Sequence, residues 1–175
     1  MGKTRQIALC GVLAALAVAV MALGGSIPMA TYCVPVLAAL LLVPITELCG
    51  RRLAWAWFLA VSVLGALLCP DIEASALFLC LGYYPIIQRD LLRIPNPALR
   101  LLSKLLLFNA AIALMYLGLI FLLGLESVAR NFTQEAPWIL VLTWVLGNGT
   151  FWMTDLLLLR LTALLRHRLS RKKRP

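Results

Sequence analysis

The chain has 175 residues, of which 63% are hydrophobic and 13% charged, and its mean hydropathy is +0.96. A soluble domain carries about 45–50% apolar and about 25% charged residues, so this composition excludes an ordinary soluble fold. The net charge of +9 gathers at helix ends and in the C-terminal tail, which favours anionic lipid head groups over nucleic acid as its partner. The sequence therefore predicts an all-α integral membrane protein.

Six apolar stretches, separated by turn-forming or charged residues, indicate a bundle of six transmembrane helices. In chain order they are Ile7–Leu23, Tyr32–Leu48, Leu53–Leu68, Ala74–Ile87, Leu101–Leu125 and Pro137–Leu165. The first is longer than the apolar run of a usual signal peptide and lacks a clear cleavage site, so we expect it to be retained. One transmembrane domain is expected over 1–165, followed by a basic cytoplasmic tail over 166–175.

The basic residues predict the direction of the bundle, because loops rich in Lys and Arg stay in the cytoplasm. With the N-terminus inside, fifteen of the sixteen Lys and Arg residues lie on the inner side and only Arg130 lies outside. Both termini are therefore expected to be cytoplasmic, in a multi-pass protein of the cell membrane. Two cysteines, Cys33 and Cys69, fall near the outer surface, where a disulfide between them is an alternative to two free thiols.

Few residues offer the chemistry of an active site. The sole histidine, His167, lies in the basic tail, which removes intramembrane Ser–His catalysis and histidine-based metal sites. No HExxH, GxSxG or phosphate-binding loop is present. Asp90 and Asp155 are separated carboxylates and weak candidates for acid catalysis. We therefore expect a protein that is not an enzyme and needs no metal or cofactor.

The sixth stretch carries a stripe of polar and aromatic residues. Trp144, Asn148, Trp152 and Asp155 fall within about 80° of one helical face, at about 100° per residue. Such residues do not belong against lipid, so the stripe is expected to face the bundle interior. It forms either interhelical hydrogen bonds with an interfacial tryptophan or the wall of a ligand cavity.

Depth in the bilayer adds candidates to this wall. At about 1.5 Å per residue, Asn148, Tyr83 and Asn109 each lie about 12–16 Å from a membrane boundary, on three consecutive helices. Each side chain is either a solitary helix–helix contact or part of one polar cavity. We predict a substrate-binding site formed by Tyr83, Asn109, Trp144, Asn148 and Trp152.

A second polar layer lies nearer the cytoplasm. Glu47, Lys104 and Asp155 all fall within about 8 Å of the inner boundary. They either extend to the aqueous interface or form an inner charged cluster, in which Lys104 pairs with one or both acids.

The first helix is rich in small residues. Gly11, Ala15 and Ala19 stand four residues apart, a spacing that lets another helix approach closely. A short basic N-terminus, this helix, the segment Gly24–Pro28 and five further helices together resemble the substrate-binding S components of energy-coupling factor transporters. The segment 81–85, with Lys104 and Asn109, is also similar to uncharacterised membrane proteins of Gram-positive bacteria, which would suit an orphan member of that family.

The resemblance implies a function and partners. The small-residue face of the first helix would contact a transmembrane coupling subunit, and two cytoplasmic ATPases would power uptake. A gating loop would contain Gly25, Pro28 and Tyr32. The ligand would be a small aromatic or heterocyclic molecule, a vitamin or its precursor. The outer acids Asp71 and Glu73 either favour a neutral or cationic ligand or are simply solvated.

The alternative is a membrane scaffold that transports nothing and resembles the rod-shape membrane protein D family, with which the chain shares size and helix count. A scaffold needs surfaces for protein contacts but no polar cavity. A cavity between the fourth, fifth and sixth stretches therefore discriminates between the two hypotheses.

Overall fold

A computed structural model describes residues 2–24, 31–121 and 137–171. Within these ranges 89% of the residues are helical and none forms a strand, which confirms the all-α prediction. The described residues form eight helices, which are α1 (Lys3–Gly24), α2 (Cys33–Leu40), α3 (Leu42–Leu48), α4 (Arg51–Leu68), α5 (Ile72–Leu81), α6 (Tyr84–Leu91), α7 (Pro97–Phe121) and α8 (Pro137–Arg171).

Two of the six apolar stretches are broken helices. The second divides into α2 and α3 at Leu41, three residues before Pro44, and the fourth divides into α5 and α6 at Gly82 and Tyr83, just before Pro85. A proline has no backbone N–H, so it cannot donate to the carbonyl four residues earlier, and the helix is interrupted there. The two prolines therefore place helix ends in the middle of two apolar stretches.

The break between α5 and α6 is tight. The Gly82 N–H donates to the carbonyl of Phe78 at 2.7 Å. A Cβ on Gly82 would lie 2.5 Å from that carbonyl oxygen and 2.8 Å from the Phe78 ring, closer than real side chains approach. Only glycine fits at this position without a shift of the backbone.

Three of these helices, α1, α4 and α7, are long and apolar enough to cross a membrane, and Cys33–Leu48 is a shorter apolar helical segment. The eighth helix has 35 residues, which corresponds to about 50 Å at 1.5 Å per residue. Large aliphatic side chains point outward, and Leu67, Leu106 and Leu114 are each at least 69% exposed. These features are those of a membrane protein, whose outer surface faces lipid.

The bundle has two chemically distinct ends. At the basic end, Gln6 donates to the carbonyl of Leu48 at 3.3 Å, and Arg51 pairs with Asp90 at 2.7 Å. At the acidic end, the hydroxyl of Thr31 donates to Asp71 at 2.7 Å.

The main hydrophobic core lies among α1 to α6. Fully buried side chains in it include Met21, Leu42, Ile45, Val61 and Phe78. Helix α7 packs mainly on α5, and α8 packs mainly on α3. Because α7 and α8 cover one flank of the core without closing tightly on it, space remains between them and α2, α5 and α6.

Candidate ligand cavity and buried charged cluster

A cavity of about 580 Å³ occupies this space and is lined by α2, α5, α6, α7 and α8. Its wall is mainly aliphatic and aromatic, and none of the described residues that line it carries a formal charge. Trp144 and Leu146 belong to the wall and are each 61% exposed. The cavity is therefore a cleft open at the protein surface rather than an enclosed void. Its size falls within the range of small-molecule sites, about 300–1,000 Å³.

Three of the five predicted substrate-binding residues meet on one side of this cavity. Trp144 Nε1 donates to Asn109 Oδ1 at 2.8 Å, and Asn109 Nδ2 donates to Asn148 Oδ1 at 3.0 Å. Each amide also donates to a carbonyl of its own helix, that of Leu105 for Asn109 at 2.8 Å and that of Trp144 for Asn148 at 2.9 Å. From the sequence, interhelical hydrogen bonds and a cavity wall were alternative roles for this stripe. In the structure the same side chains do both.

Tyr83, which the sequence analysis placed in the binding site, is not among the described residues of this wall. Its ring stacks on Trp55 at a centroid distance of 6.0 Å and meets Phe58 edge-on at 5.8 Å, so Tyr83 is half-buried against the main core. Depth along an unbroken helix placed Tyr83 beside the other candidates. Because the helix is broken at Gly82 and Tyr83, the side chains after the break do not point in the directions expected for a continuous helix. Tyr84 lines the cavity instead.

Trp152 is also outside the described wall, and 60% of its surface is exposed. Residues four apart advance about 40° around a helix, so Trp152 is rotated about 80° from Trp144. The side of α8 that faces the cavity instead follows Gly147, Phe151 and Leu158. Trp152 was at the edge of the predicted stripe, and in the structure it lies outside the residues that line the cavity.

Two acidic residues, Asp71 and Glu73, make structural hydrogen bonds near the mouth of the cavity but do not line it. Glu73 Oε1 accepts from the hydroxyl of Tyr116 at 2.8 Å and from that of Tyr32 at 3.4 Å, and both rings line the cavity. Asp71 caps α5, because its Oδ1 accepts from the backbone N–H groups of Glu73 and Ala74 at 2.9 and 3.1 Å. Neither acid is a freely solvated loop residue.

Beneath the cavity lies a buried charged cluster that the sequence predicted in part. Lys104 Nζ lies 2.6 Å from Asp155 Oδ2, and the two residues are only 7% and 4% exposed. Asp155 Oδ1 also accepts from the hydroxyl of Tyr84 at 2.5 Å and from Gln88 Nε2 at 2.7 Å. Lys104 therefore forms a buried ion pair instead of extending to the aqueous interface.

Glu47 does not join this cluster, which corrects one member of the predicted set. It lies on α3 and pairs with Arg89 of α6 and with Arg166 of α8, the latter at 3.2 Å. Depth alone grouped Glu47 with Lys104. The arginines of the adjoining α6 and α8 reach Glu47 instead, so there are two separate charged groups.

Several residues at the site escaped the sequence analysis. The floor of the cavity is aromatic: Phe151 stacks on Phe108 at 4.6 Å and meets Tyr84 edge-on at 5.0 Å. Tyr116 stands seven residues after Asn109, a spacing that places both on one face of α7 and that would have identified it. Phe108 and Phe151 carried no signal, since aromatic residues in apolar helices are ordinary core residues.

The remaining predicted positions lie away from the cavity or outside the described residues. Gly25 and Pro28 fall in the segment 25–30, which is not described, whereas Tyr32 lies at the cavity mouth. Gly11, Ala15 and Ala19 are all exposed, on the side of α1 turned away from the core.

The cysteines and the acidic residues form no covalent or metal-binding group in the described chain. Cys33 is exposed and Cys69 is buried, and both are free thiols; Cys69 Sγ donates to the carbonyl of Met21 at 3.2 Å. Within 2–24, 31–121 and 137–171, no group of three or more His, Cys, Asp or Glu side chains is arranged to hold a metal ion.

The chain matches no protein-family model, no curated protein and no solved structure.

Proposed function

We propose that this chain is the substrate-binding membrane subunit of a small-molecule uptake transporter, similar to the S components of energy-coupling factor transporters. The observation that carries the proposal is the cavity of about 580 Å³ with Asn109, Asn148 and Trp144 converging on one side of an apolar wall. Binding sites for small molecules combine an apolar wall with a few placed polar groups in this way. The ligand is a small aromatic or heterocyclic molecule, a vitamin or its precursor.

The proposal includes six membrane spans with both termini in the cytoplasm. The two broken stretches, Cys33–Leu48 and Ile72–Leu91, would each cross as a pair of short helices held against longer neighbours. Interrupted helices are tolerated in membranes where they are buried in protein or line a cavity, and α5 and α6 line one here. The basic end, with Arg51, Arg89 and Arg166, would be the cytoplasmic one.

The chain would depend on partners for energy, since its sequence contains no phosphate-binding loop. A transmembrane coupling subunit would dock on the exposed small-residue face of α1, and cytoplasmic ATPases would drive release of the ligand. An added Cβ at Gly11 would meet nothing within 4 Å, so this face is unobstructed in the chain itself.

The test is a screen of vitamins and precursors against the purified protein by thermal shift and tryptophan fluorescence. We expect a ligand that quenches fluorescence and whose binding is weakened by Asn148→Leu and by Trp144→Ala, each by about 1–3 kcal/mol for loss of a polar partner or a stacking face. Trp152→Ala is the matched control, because it removes an exposed tryptophan of the same helix outside the cavity wall. A ligand that responds equally to Trp152→Ala and Trp144→Ala contradicts this site.

A scaffold remains the second candidate, because Trp144, Asn109 and Asn148 bond one another and thus already serve to join α7 to α8. Co-purification separates the two functions. ATPases and a coupling subunit are expected with a transporter subunit, and cell-wall proteins with a scaffold.

A further inference from the structure

The hydrogen-bond donors of the cavity wall are almost all in use. Tyr84 and Tyr116 donate to Asp155 and Glu73, at 2.5 and 2.8 Å. Thr150 and Thr154 donate to carbonyls of their own helix at 2.9 and 2.8 Å. The indole N–H of Trp144 donates to Asn109 Oδ1. The described wall therefore offers a ligand many acceptor oxygens but few free N–H or O–H donors. These free donors determine how the ligand is oriented.

The orientation of the two amides is fixed by their partners. An indole N–H can only donate and a backbone carbonyl can only accept. Asn109 must therefore turn its oxygen to Trp144 and its nitrogen to the carbonyl of Leu105. The same rule turns the nitrogen of Asn148 to the carbonyl of Trp144 and leaves its oxygen to accept from Asn109.

This arrangement leaves defined bonding capacity on Asn148. A primary amide has two N–H protons and two oxygen lone pairs. One proton and one lone pair of Asn148 are used in bonds to described residues, so one N–H and one lone pair of this lining residue are left for a ligand. Thr143, near the start of α8, also lines the cavity, and its hydroxyl makes no hydrogen bond to another described residue. Of these two described residues, Thr143 carries its donor and acceptor on one oxygen, whereas Asn148 carries them on two neighbouring atoms of a planar amide.

Charge narrows the ligand further. No described lining residue is charged, and Lys104 is held against Asp155 beneath the ring of Tyr84. An ionised group of either sign in the cavity would be desolvated without an opposite charge among the described lining residues, which is strongly unfavourable. The wall thus suits an uncharged molecule.

We propose that the cavity recognises an uncharged planar ring that carries an amide-type edge, such as a lactam, a ureide or a carboxamide. The carbonyl of that edge accepts from Asn148 Nδ2, and its N–H donates to Asn148 Oδ1. The ring packs against the apolar wall beside Trp144 and Phe151. This assignment rests on the proposed function, which requires only that the cavity bind some small molecule.

The experiment uses the full chain in lipid nanodiscs and three fragment probes of nearly equal shape. Isoquinolin-1(2H)-one presents the lactam edge, 1-methoxyisoquinoline lacks its N–H and carbonyl, and isoquinoline-1-carboxylate adds a negative charge. We expect the lactam to bind about tenfold more tightly than the ether, as the loss of paired neutral hydrogen bonds implies. The carboxylate is expected not to bind.

Two variants test whether the amide-type edge of the ligand binds at Asn148. Asn148→Leu should abolish the preference for the lactam while leaving the affinity for the ether within about twofold, since an apolar replacement keeps the shape of the wall. Trp152→Ala, on the same helix but outside the described wall, should retain the preference. The comparison of probes on the unaltered chain requires no variant, so a misfolded variant does not leave the proposal untested.

Two results would overturn the assignment: equal affinities for lactam and ether, or a preference that survives Asn148→Leu. If no probe binds but a vitamin from the screen does, the edge is wrong and the proposed function stands. If nothing binds in either experiment, both fail.

Discussion

The substitution Lys104→Met tests whether the ion pair between Lys104 and Asp155, buried under the cavity, stabilises the fold. Lys104 and Asp155 are 7% and 4% exposed and lie 2.6 Å apart, so removal of the ammonium leaves a buried carboxylate without its counter-charge. Breaking such a pair costs about 3–5 kcal/mol. Two hydrogen bonds, from Tyr84 and Gln88, remain on the carboxylate and place the expected loss toward the lower value. For a chain of this length, that loss corresponds to a decrease of about 6–20 °C in melting temperature.

The control is Arg100→Met, which removes a basic residue one turn earlier on the same helix, where the side chain is only partly buried. Thermal melting of the two purified variants, followed by size-exclusion chromatography of the soluble fraction, gives the comparison. The double variant Lys104→Met with Asp155→Asn should recover part of the loss, because it removes the orphaned charge. Equal melting temperatures for the two single variants would refute the reasoning, since Lys104 would then contribute no more than a cation near the surface.

Three further outcomes are expected. A cysteine introduced at position 131, in a background without native cysteines, should react with an impermeant maleimide in intact cells; labelling only after permeabilisation would contradict the topology. Ala15→Leu or Ala19→Leu should leave the chain folded but block assembly with the coupling subunit, because bulk prevents close helix approach; an unchanged complex would show that α1 docks elsewhere. Gly82→Ala should lower the melting temperature because its Cβ would lie 2.5 Å from a backbone carbonyl, whereas Gly149→Ala, with nothing within 4 Å, should not. Similar melting of the two glycine variants would argue against a tight turn at the helix break.

Much of the site followed from helical geometry alone. Spacing on α8 placed Trp144, Asn148 and Asp155 on one face, and a rise of about 1.5 Å per residue placed Asn109 at matching depth. These positions lie on long unbroken helices, where angle and height follow directly from residue number. The structure brings the two asparagines together at 3.0 Å, and Asp155 to the Lys104 with which it had been grouped.

The errors arose where that arithmetic does not apply. Tyr83 was placed on a continuous helix, but the break before Pro85 turns it into the core and brings Tyr84 to the cavity. Glu47 was grouped by depth, but its partners depend on which helices adjoin α3, and one sequence does not specify helix neighbours. The sequence thus did not determine which way side chains point after a helix break, or which helices pack side by side. Height along an unbroken helix, by contrast, followed from residue number.

The open side of the cleft has a consequence for any measured affinity. The groove is mostly apolar and is flanked by exposed Trp144 and Leu146, so in a bilayer it would be open to lipid acyl chains. Binding of the proposed ligand would then be an exchange, in which the ligand displaces a hydrocarbon chain from the wall. The apolar contacts largely cancel in that exchange, and the polar contacts with Asn148 supply most of the difference. Apparent affinity should consequently vary with the chain length and saturation of the surrounding lipid, while selectivity between ligands should vary much less.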